Sequence, residues 1–199
     1  MSGGVDSTVS TLLLKEQGYE VEGVYMKLHA KPGYHEIHQV RAQRAADFAG
    51  VKLHILDLKE EFNAKVFTPF IETYKEGKTP NPCALCNRNI KFGAMVAYAD
   101  KIGAEFVATG HYIRHDGQYL LQAKDDTKDQ SYFLFSLRQE QLARSIFPLG
   151  NLTKIDTRLE TYRTTLTRQY AAMDQLVAAS KAVGTQIDQQ IAAWYNKSN

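Results

Sequence analysis

Two short stretches hold the residues that could do chemistry. Ser2-Gly3-Gly4-Val5-Asp6-Ser7 puts two glycines, an acid and two hydroxyls in one turn, just ahead of an apolar-periodic run. Glycines let backbone N–H groups approach an anion, serine hydroxyls add donors, and the N-terminus of a following helix adds a favourable dipole. That is the chemistry of a pyrophosphate cradle; the plainer reading is a Gly-Gly turn capping a helix. No Lys-Ser/Thr pair closes the turn, which separates it from the Walker type. The second stretch, Thr79-Pro80-Asn81-Pro82-Cys83-Ala84-Leu85-Cys86-Asn87, carries both cysteines of the chain. Cys83-x-x-Cys86 has the spacing of half a zinc site, with His111 and His115 as candidate partners, and also that of a thiol pair cycling through a disulfide.

The elements that must position these residues alternate. The spacing predicts helices over 8–17, 34–48, 62–74 (with a break at Pro69) and 90–102, and strands over 21–26, 53–58 and 106–109, with 119–122 and 131–135 as further strands. Such β-α-β alternation implies a parallel sheet covered by helices, with ligands held beyond the carboxyl ends of the strands. Both the Ser2–Ser7 turn and Thr109-Gly110-His111 fall there. A cradle of this kind should follow a buried strand, and the chain reaches the turn after Met1 alone; the expectation is an α/β domain lacking its first strand.

Composition bounds the function classes. A hydrophobic fraction of 44% with 23% charged residues suits a globular domain, and a net charge of +2 leaves any RNA contact to local patches. No apolar run is long enough for a membrane span, the N-terminus lacks the order of a signal peptide, and the cysteine count makes no disulfide scaffold, so a reducing cytoplasm is expected. From about residue 155 the character changes. Leu159, Leu166, Met173, Ser180, Ile187 and Trp194 fall seven apart, interleaved with Tyr170, Val177, Gly184 and Ile191. This predicts a coiled-coil-like helical tail over 155–199, weakest at Ser180 and Gly184, seeking a partner or self-associating; the alternative is an amphipathic helix packed on the front domain.

SGGVDS resembles the PP-loop of ATP pyrophosphatases, of the adenine nucleotide α-hydrolase-like fold. NPCALCN, Arg88-Asn89-Ile90-Lys91-Phe92-Gly93, Ala108-Thr109-Gly110-His111-Tyr112, KDQSYFL (Lys128 to Leu134) and Phe147-Pro148-Leu149-Gly150 follow in order. Together they resemble the catalytic domain of the tRNA-specific 2-thiouridylases (the MnmA/TrmU family) over residues 1–154. The resemblance implies an ATP-dependent sulfurtransferase that adenylates C2 of wobble uridine, then delivers sulfur from a persulfide. It implies ATP, with magnesium, on Ser2, Gly3, Gly4, Val5, Asp6 and Ser7, with Met26 in the adenine pocket and Gly110 as a further nucleotide contact. Cys86 is then the catalytic nucleophile, activated at a helix N-terminus near Asn87. Asn81, Pro82, Cys83, His111, Lys128, Asp129 and Gln130 would face the tRNA, and a cysteine desulfurase or sulfur-relay protein would be the donor partner. Some family members carry Asp at the position of Cys83, so a general-base role does not transfer to it. His54, alone on a strand, reads as structural. Lys75, Lys78, Arg88 and Lys91 flank the cysteine loop as phosphate contacts or as a solvated surface.

The family continues into further domains and a second cysteine, whereas no cysteine follows Cys86 here. Residues 156–183 resemble instead the C-terminal tail of flagellar filament cap proteins. The expectation is thus an incomplete thiouridylase joined to a foreign tail, and the alternative function is a flagellar cap or assembly component acting through that tail.

Overall fold

The computed structural model describes the backbone of residues 1–197, and side chains through residue 175 together with those at 178, 179 and 182. Contacts divide the chain into two units, Met1–Arg158 and Leu159–Asn199.

In the first unit, α1 (Val5–Glu16) starts three residues before the predicted start, with Gly4 as its N-cap and Gln17 as its C-cap. β1 (Gly23–Lys27), α2 (Tyr34–Ala49) and β2 (Leu53–Asp57) follow as the pattern predicts. Gly50, at φ 63°, supplies the left-handed residue that stops α2. β1 and β2 pair in parallel, with Gly23 opposite Leu53 and Lys27 opposite Asp57.

Then comes α3 (Lys59–Phe62), a π-helical segment Asn63–Phe67, and α4 (Thr68–Lys75). The expected break at Pro69 is instead a widening of the helix just ahead of the proline, which lacks the N–H an α-helix requires. α5 (Pro82–Cys86), a second π-helical segment Asn87–Ala94 and α6 (Met95–Ile102) form one continuous helical run, closed by Gly103 at φ 74°.

β3 (Val107–Ala108) pairs in parallel with β6 (Ser145–Ile146), a strand too short for periodicity to show. β4 (Arg114–His115) and β5 (Leu120–Leu121) form an antiparallel pair, in keeping with a hairpin-like addition near 119–122. Residues 131–135 are not a strand: Ser131–Leu134 is a 3₁₀ turn, between the short helix Asp126–Lys128 and α7 (Gln139–Ala143). Asp129 takes the Ser131 hydroxyl and amide and the Ala123 amide on its carboxylate, and these local bonds outcompete a ladder.

The sheet is in pieces. The order is β1-β2, β3-β6 and β4-β5, and among the described residues no strand joins β1 to β3. A cavity of about 1140 Å³ lies between them, bordered by Gly23–Met26 on one side and Phe106–Ala108 on the other. At its rim the Met1 amine donates to the Val24 carbonyl. Buried side chains cluster beside this cavity: Phe92, Ala99, Val107, Ile113, Leu134, Leu142 and Phe147 form the largest cluster, and Leu58, Val66 and Ile90 another.

α8 (Lys154–Lys197) runs without interruption through Ser180 and Gly184. The weak positions of the pattern do not break the helix, because a lone glycine costs it only about 1 kcal/mol and no proline follows. Within the second unit Leu159, Tyr162, Leu166, Tyr170 and Met173 are exposed. The side chains of Val177, Ser180, Gly184, Ile187, Ile191 and Trp194, which complete the seven-residue pattern, lie outside the described residues.

Candidate functional site

The turn ahead of α1 is built from its own residues. Ser7 Oγ donates to the Gly4 carbonyl at 3.0 Å, the Ser2 and Ser7 hydroxyls stand 3.3 Å apart, and the Gly4 amide donates to Ser2 Oγ at 3.3 Å. No side chain caps α1, so its leading N–H groups remain open to an anion. Gly3 has φ 76°, and a Cβ there would sit 2.6 Å from the carbonyl carbon of Arg41. Only glycine lets the chain turn this tightly against α2. These donors fit a polyphosphate.

Asp6, in the first helical turn, would oppose an anion by itself. Its carboxylate accepts from Lys154 Nζ, and Tyr112 Oη lies 3.2 Å from Asp6 Oδ1 and 2.9 Å from Thr157 Oγ1. Gly110 passes directly over this helix start: a Cβ there would meet the Asp6 backbone carbon at 3.2 Å. Two segments more than a hundred residues apart are thereby closed on one another. Lys154 and Tyr112 were not singled out by sequence reading, because nothing local marks a lysine or tyrosine that pairs across the fold.

The cysteine segment is held differently. Asn81 caps α5, its side chain accepting from the Ala84 amide at 3.0 Å, and Pro82 occupies the first turn, where its missing N–H costs nothing. Cys83 is exposed in that first turn. Cys86 sits a full turn further on, inside the continuous helical run. The expected activation at a helix N-terminus near Asn87 is therefore corrected: the helix starts at Pro82, and the dipole's influence fades within the first turn. Cys86 packs against Leu58, Val66 and Ile90, the cluster on which Met26 also rests. Burial pushes its thiol up, and the Lys91 ammonium pulls the other way. Asn87 is fully buried and donates to the Phe133 carbonyl at 2.8 Å, while Ser136 Oγ donates to the Ala84 carbonyl at 3.2 Å. These bonds tie the KDQSYFL turn to the cysteine helix.

His111 is buried, and its imidazole is pushed down to about 3 by desolvation, with Lys91 adding to the effect. It is therefore neutral. Lys91 Nζ lies 3.3 Å from His111 Nε2, and His111 Nδ1 lies 2.8 Å from Thr109 Oγ1. A lysine ammonium can only donate, so Nε2 accepts from it and the ring proton is on Nδ1, donated to Thr109.

Ser2, Asp6, Ser7, Met26, Lys91, Gly110, His111, Lys128, Gln130 and Lys154 all line the cavity between β1 and β3. Gly3, Gly4 and Val5 form the turn at its edge. Asn81, Pro82, Cys83, Cys86 and Asp129 do not line it; Met26 and Phe62 line the cavity and also pack on the cluster that Cys86 packs on, and Lys91, whose charge acts on the thiol, lines it too. Gln130 clasps Tyr112, accepting its amide on Oε1 and donating its own amide to the Tyr112 carbonyl, both at 3.0 Å. Lys128 is exposed at the rim. His54 bridges Glu22 at 2.7 Å and Tyr98 at 2.9 Å, a structural tie between β2 and its neighbours. Among the described residues no group of three or more His, Cys, Asp or Glu side chains is arranged to hold a metal ion, and no helix is long and apolar enough to cross a membrane.

Parallel strands, covering helices and a glycine turn on a helix N-terminus define an α/β domain of the kind whose ligands sit beyond the carboxyl ends of the strands. The chain belongs to the tRNA methyl transferase HUP domain family, whose profile matches residues 1–175. That match runs past the expected boundary at 154, over the start of the segment that resembled a flagellar tail. A tRNA-specific 2-thiouridylase MnmA of Sulfurimonas denitrificans is 68% identical over 154 residues, 77% of this chain and 45% of that protein. The protein of the same name from Campylobacter curvus is 54% identical over 156 residues, 78% of this chain and 46% of that one. The one from Nitratiruptor is 47% identical over 171 residues, 86% of this chain and 50% of that one. The chain thus spans about half the length of the curated relatives it matches. The fold is shared with a crystal structure of a predicted subunit of tRNA methyltransferase from Methanocaldococcus jannaschii, at TM-score 0.52 and 19% identity over 79% of this chain and 69% of that one. None of these relatives is a flagellar protein.

Proposed function

We propose that this chain carries the nucleotide- and cysteine-bearing part of an ATP-dependent tRNA 2-thiouridylase. The observation that supports this most is the juxtaposition of the Ser2–Ser7 turn, Gly110 and His111 around one cavity, with Cys86 packed on the same apolar cluster as the lining residues Met26 and Phe62. ATP, with magnesium, would lie with its phosphates on the turn and its base toward Met26. The turn's N–H and hydroxyl donors, with Lys154 balancing Asp6, would stabilise the charge that grows on pyrophosphate as the uridine C2 oxygen displaces it from the α-phosphorus. Sulfur from a persulfide, supplied by a desulfurase or relay protein, then adds at C2, and AMP departs with the original oxygen. The Cys86 thiolate attacks the donor sulfur still joined to the new C2 sulfur and breaks that S–S bond, so 2-thiouridine is released and Cys86 is left in a disulfide with the donor, the two thiols having supplied the two electrons.

The RNA side is marked by Lys128 and by exposed rings on the turn bonded to Asn87. Tyr132 and Phe135 are exposed, with ring centroids 5.9 Å apart. Unpaired loop bases are recognised by stacking on such rings, beside cations that hold phosphate. The setting for this chemistry is the cytoplasm.

The test is tRNA-dependent release of pyrophosphate from ATP, followed by mass spectrometry of digested tRNA after adding a persulfide donor. Wild-type chain is expected to release pyrophosphate only with tRNA present. Cys86→Ser is expected to keep that release and to form no 2-thiouridine. Failure to bind ATP overturns the assignment, and 2-thiouridine formation undiminished in Cys86→Ser overturns the role given to Cys86.

A further inference from the structure

We propose that Lys91 is the cation that sets the reactivity of the Cys86 thiol, and that neutral His111 is the acceptor that positions it. The proposal deepens the function above, because it names what activates the thiol once a helix N-terminus has been ruled out.

The geometry rests on the π-helical segment. Lys91 is five residues after Cys86. In an α-helix with 3.6 residues per turn, the fifth residue points well round the axis from the first. In a π-helix the bonding is i→i+5, which stacks residue i+5 close over residue i. The segment Asn87–Ala94 is π-helical and begins directly after Cys86. The widened turn thus carries Lys91 onto the side of the helix where Cys86 lies.

A lysine stem is long and flexible, so it needs an anchor. His111 provides one, with Nε2 3.3 Å from Lys91 Nζ and Nδ1 held by Thr109 at 2.8 Å. Because desolvation keeps the imidazole neutral, it can accept from the ammonium without repelling it. Among the described residues, the titratable groups that act on the thiol are Lys91 and Cys83. The elements packed against it from elsewhere present Leu58, Val66 and Met26, all apolar. In such surroundings one nearby cation outweighs what it would contribute in water. When the thiol gives its proton to solvent, the thiolate is left in the field of the Lys91 ammonium, which itself lines the cavity.

The experiment reads thiol alkylation by iodoacetamide as a function of pH, in a Cys83→Ser background so that Cys86 is the sole thiol. Lys91→Met and Lys91→Gln are both expected to move the midpoint upward by about one pH unit, slowing alkylation at pH 7.5 by about tenfold, as loss of one close opposite charge requires. Lys91→Arg is expected to restore most of the rate. His111→Leu is expected to shift the midpoint in the same direction by less. An unchanged midpoint in either neutral variant, with its thermal melt intact, overturns the proposal. So does a shift that Lys91→Arg fails to rescue, since that would be packing rather than charge. Alkylation needs neither ATP nor tRNA. A shifted midpoint together with undiminished 2-thiouridine in Cys86→Ser would therefore retain the pair and remove Cys86 from the sulfur transfer, and an unshifted midpoint with 2-thiouridine lost would do the reverse.

Discussion

The turn at Ser2–Ser7 and the cysteine helix both place polar residues at the head of a helix, yet they are held in opposite ways. The turn closes on itself, through bonds among Ser2, Gly4, Ser7 and Thr8. The cysteine helix has one local bond, the Asn81 cap, and is otherwise fixed by Phe133 and Ser136, some fifty residues downstream. The lesson is that a self-closing glycine turn can be written in a few consecutive residues, whereas the environment of a thiol cannot.

Three experiments can break or sharpen that contrast. The largest effect is expected from Gly3→Ala, which adds a Cβ 2.6 Å from Arg41 at a positive φ. Strain and overpacking together should cost about 3 kcal/mol. A chemical denaturation midpoint that barely moves would show the turn to be freer than its bonds indicate.

Next is the acid limb of stability. His111 titrates at about 3 when folded and near its ordinary value, about 6.5, when unfolded. Below the unfolded value the unfolded chain binds a proton that the folded chain refuses. The contribution is thus complete above about pH 6.5 and is lost as pH falls toward 3, on the order of 1 kcal/mol per pH unit. Between pH 6.5 and 4.5 this loss precedes the titration of Asp57, Asp116, Asp125 and Asp156, whose hydrogen bonds hold them below the usual carboxylate range. His111→Asn should flatten the limb in urea titrations; an unaltered slope would show that the imidazole is not sealed from water.

The smallest effect is expected from Asn81→Ala, which removes the cap of α5 and should cost about 1 kcal/mol. Since long-range bonds also hold Cys86, its alkylation rate should stay within about twofold of wild type. A larger change in rate would mean that the local cap, rather than the tertiary ties, places the thiol.

The sequence made the alternation of strands and helices legible, because burial of one face imposes periods that survive in the order of residues. It also marked the glycine turn, whose bonds are made among its own residues. It misread 131–135 as a strand, since aromatic residues favour strands and the competing claim of Asp129 on Ser131 is a matter of local geometry that composition does not reveal. It placed Cys86 at a helix start, since Pro82 and Asn87 each look like a boundary and only the backbone shows that the helix begins at the first and passes through the second.

By itself, then, the order of residues determined the cradle, the elements and the family, because those rest on short-range bonding and on which side chains avoid water. The tertiary structure alone decided that Lys154 and Tyr112 reach Asp6, that Gly110 closes over α1, and that a neutral His111 accepts from Lys91. Each of those depends on groups far apart in the chain, whose charges and hydrogen bonds gain strength only when folding brings them together and removes the water between them.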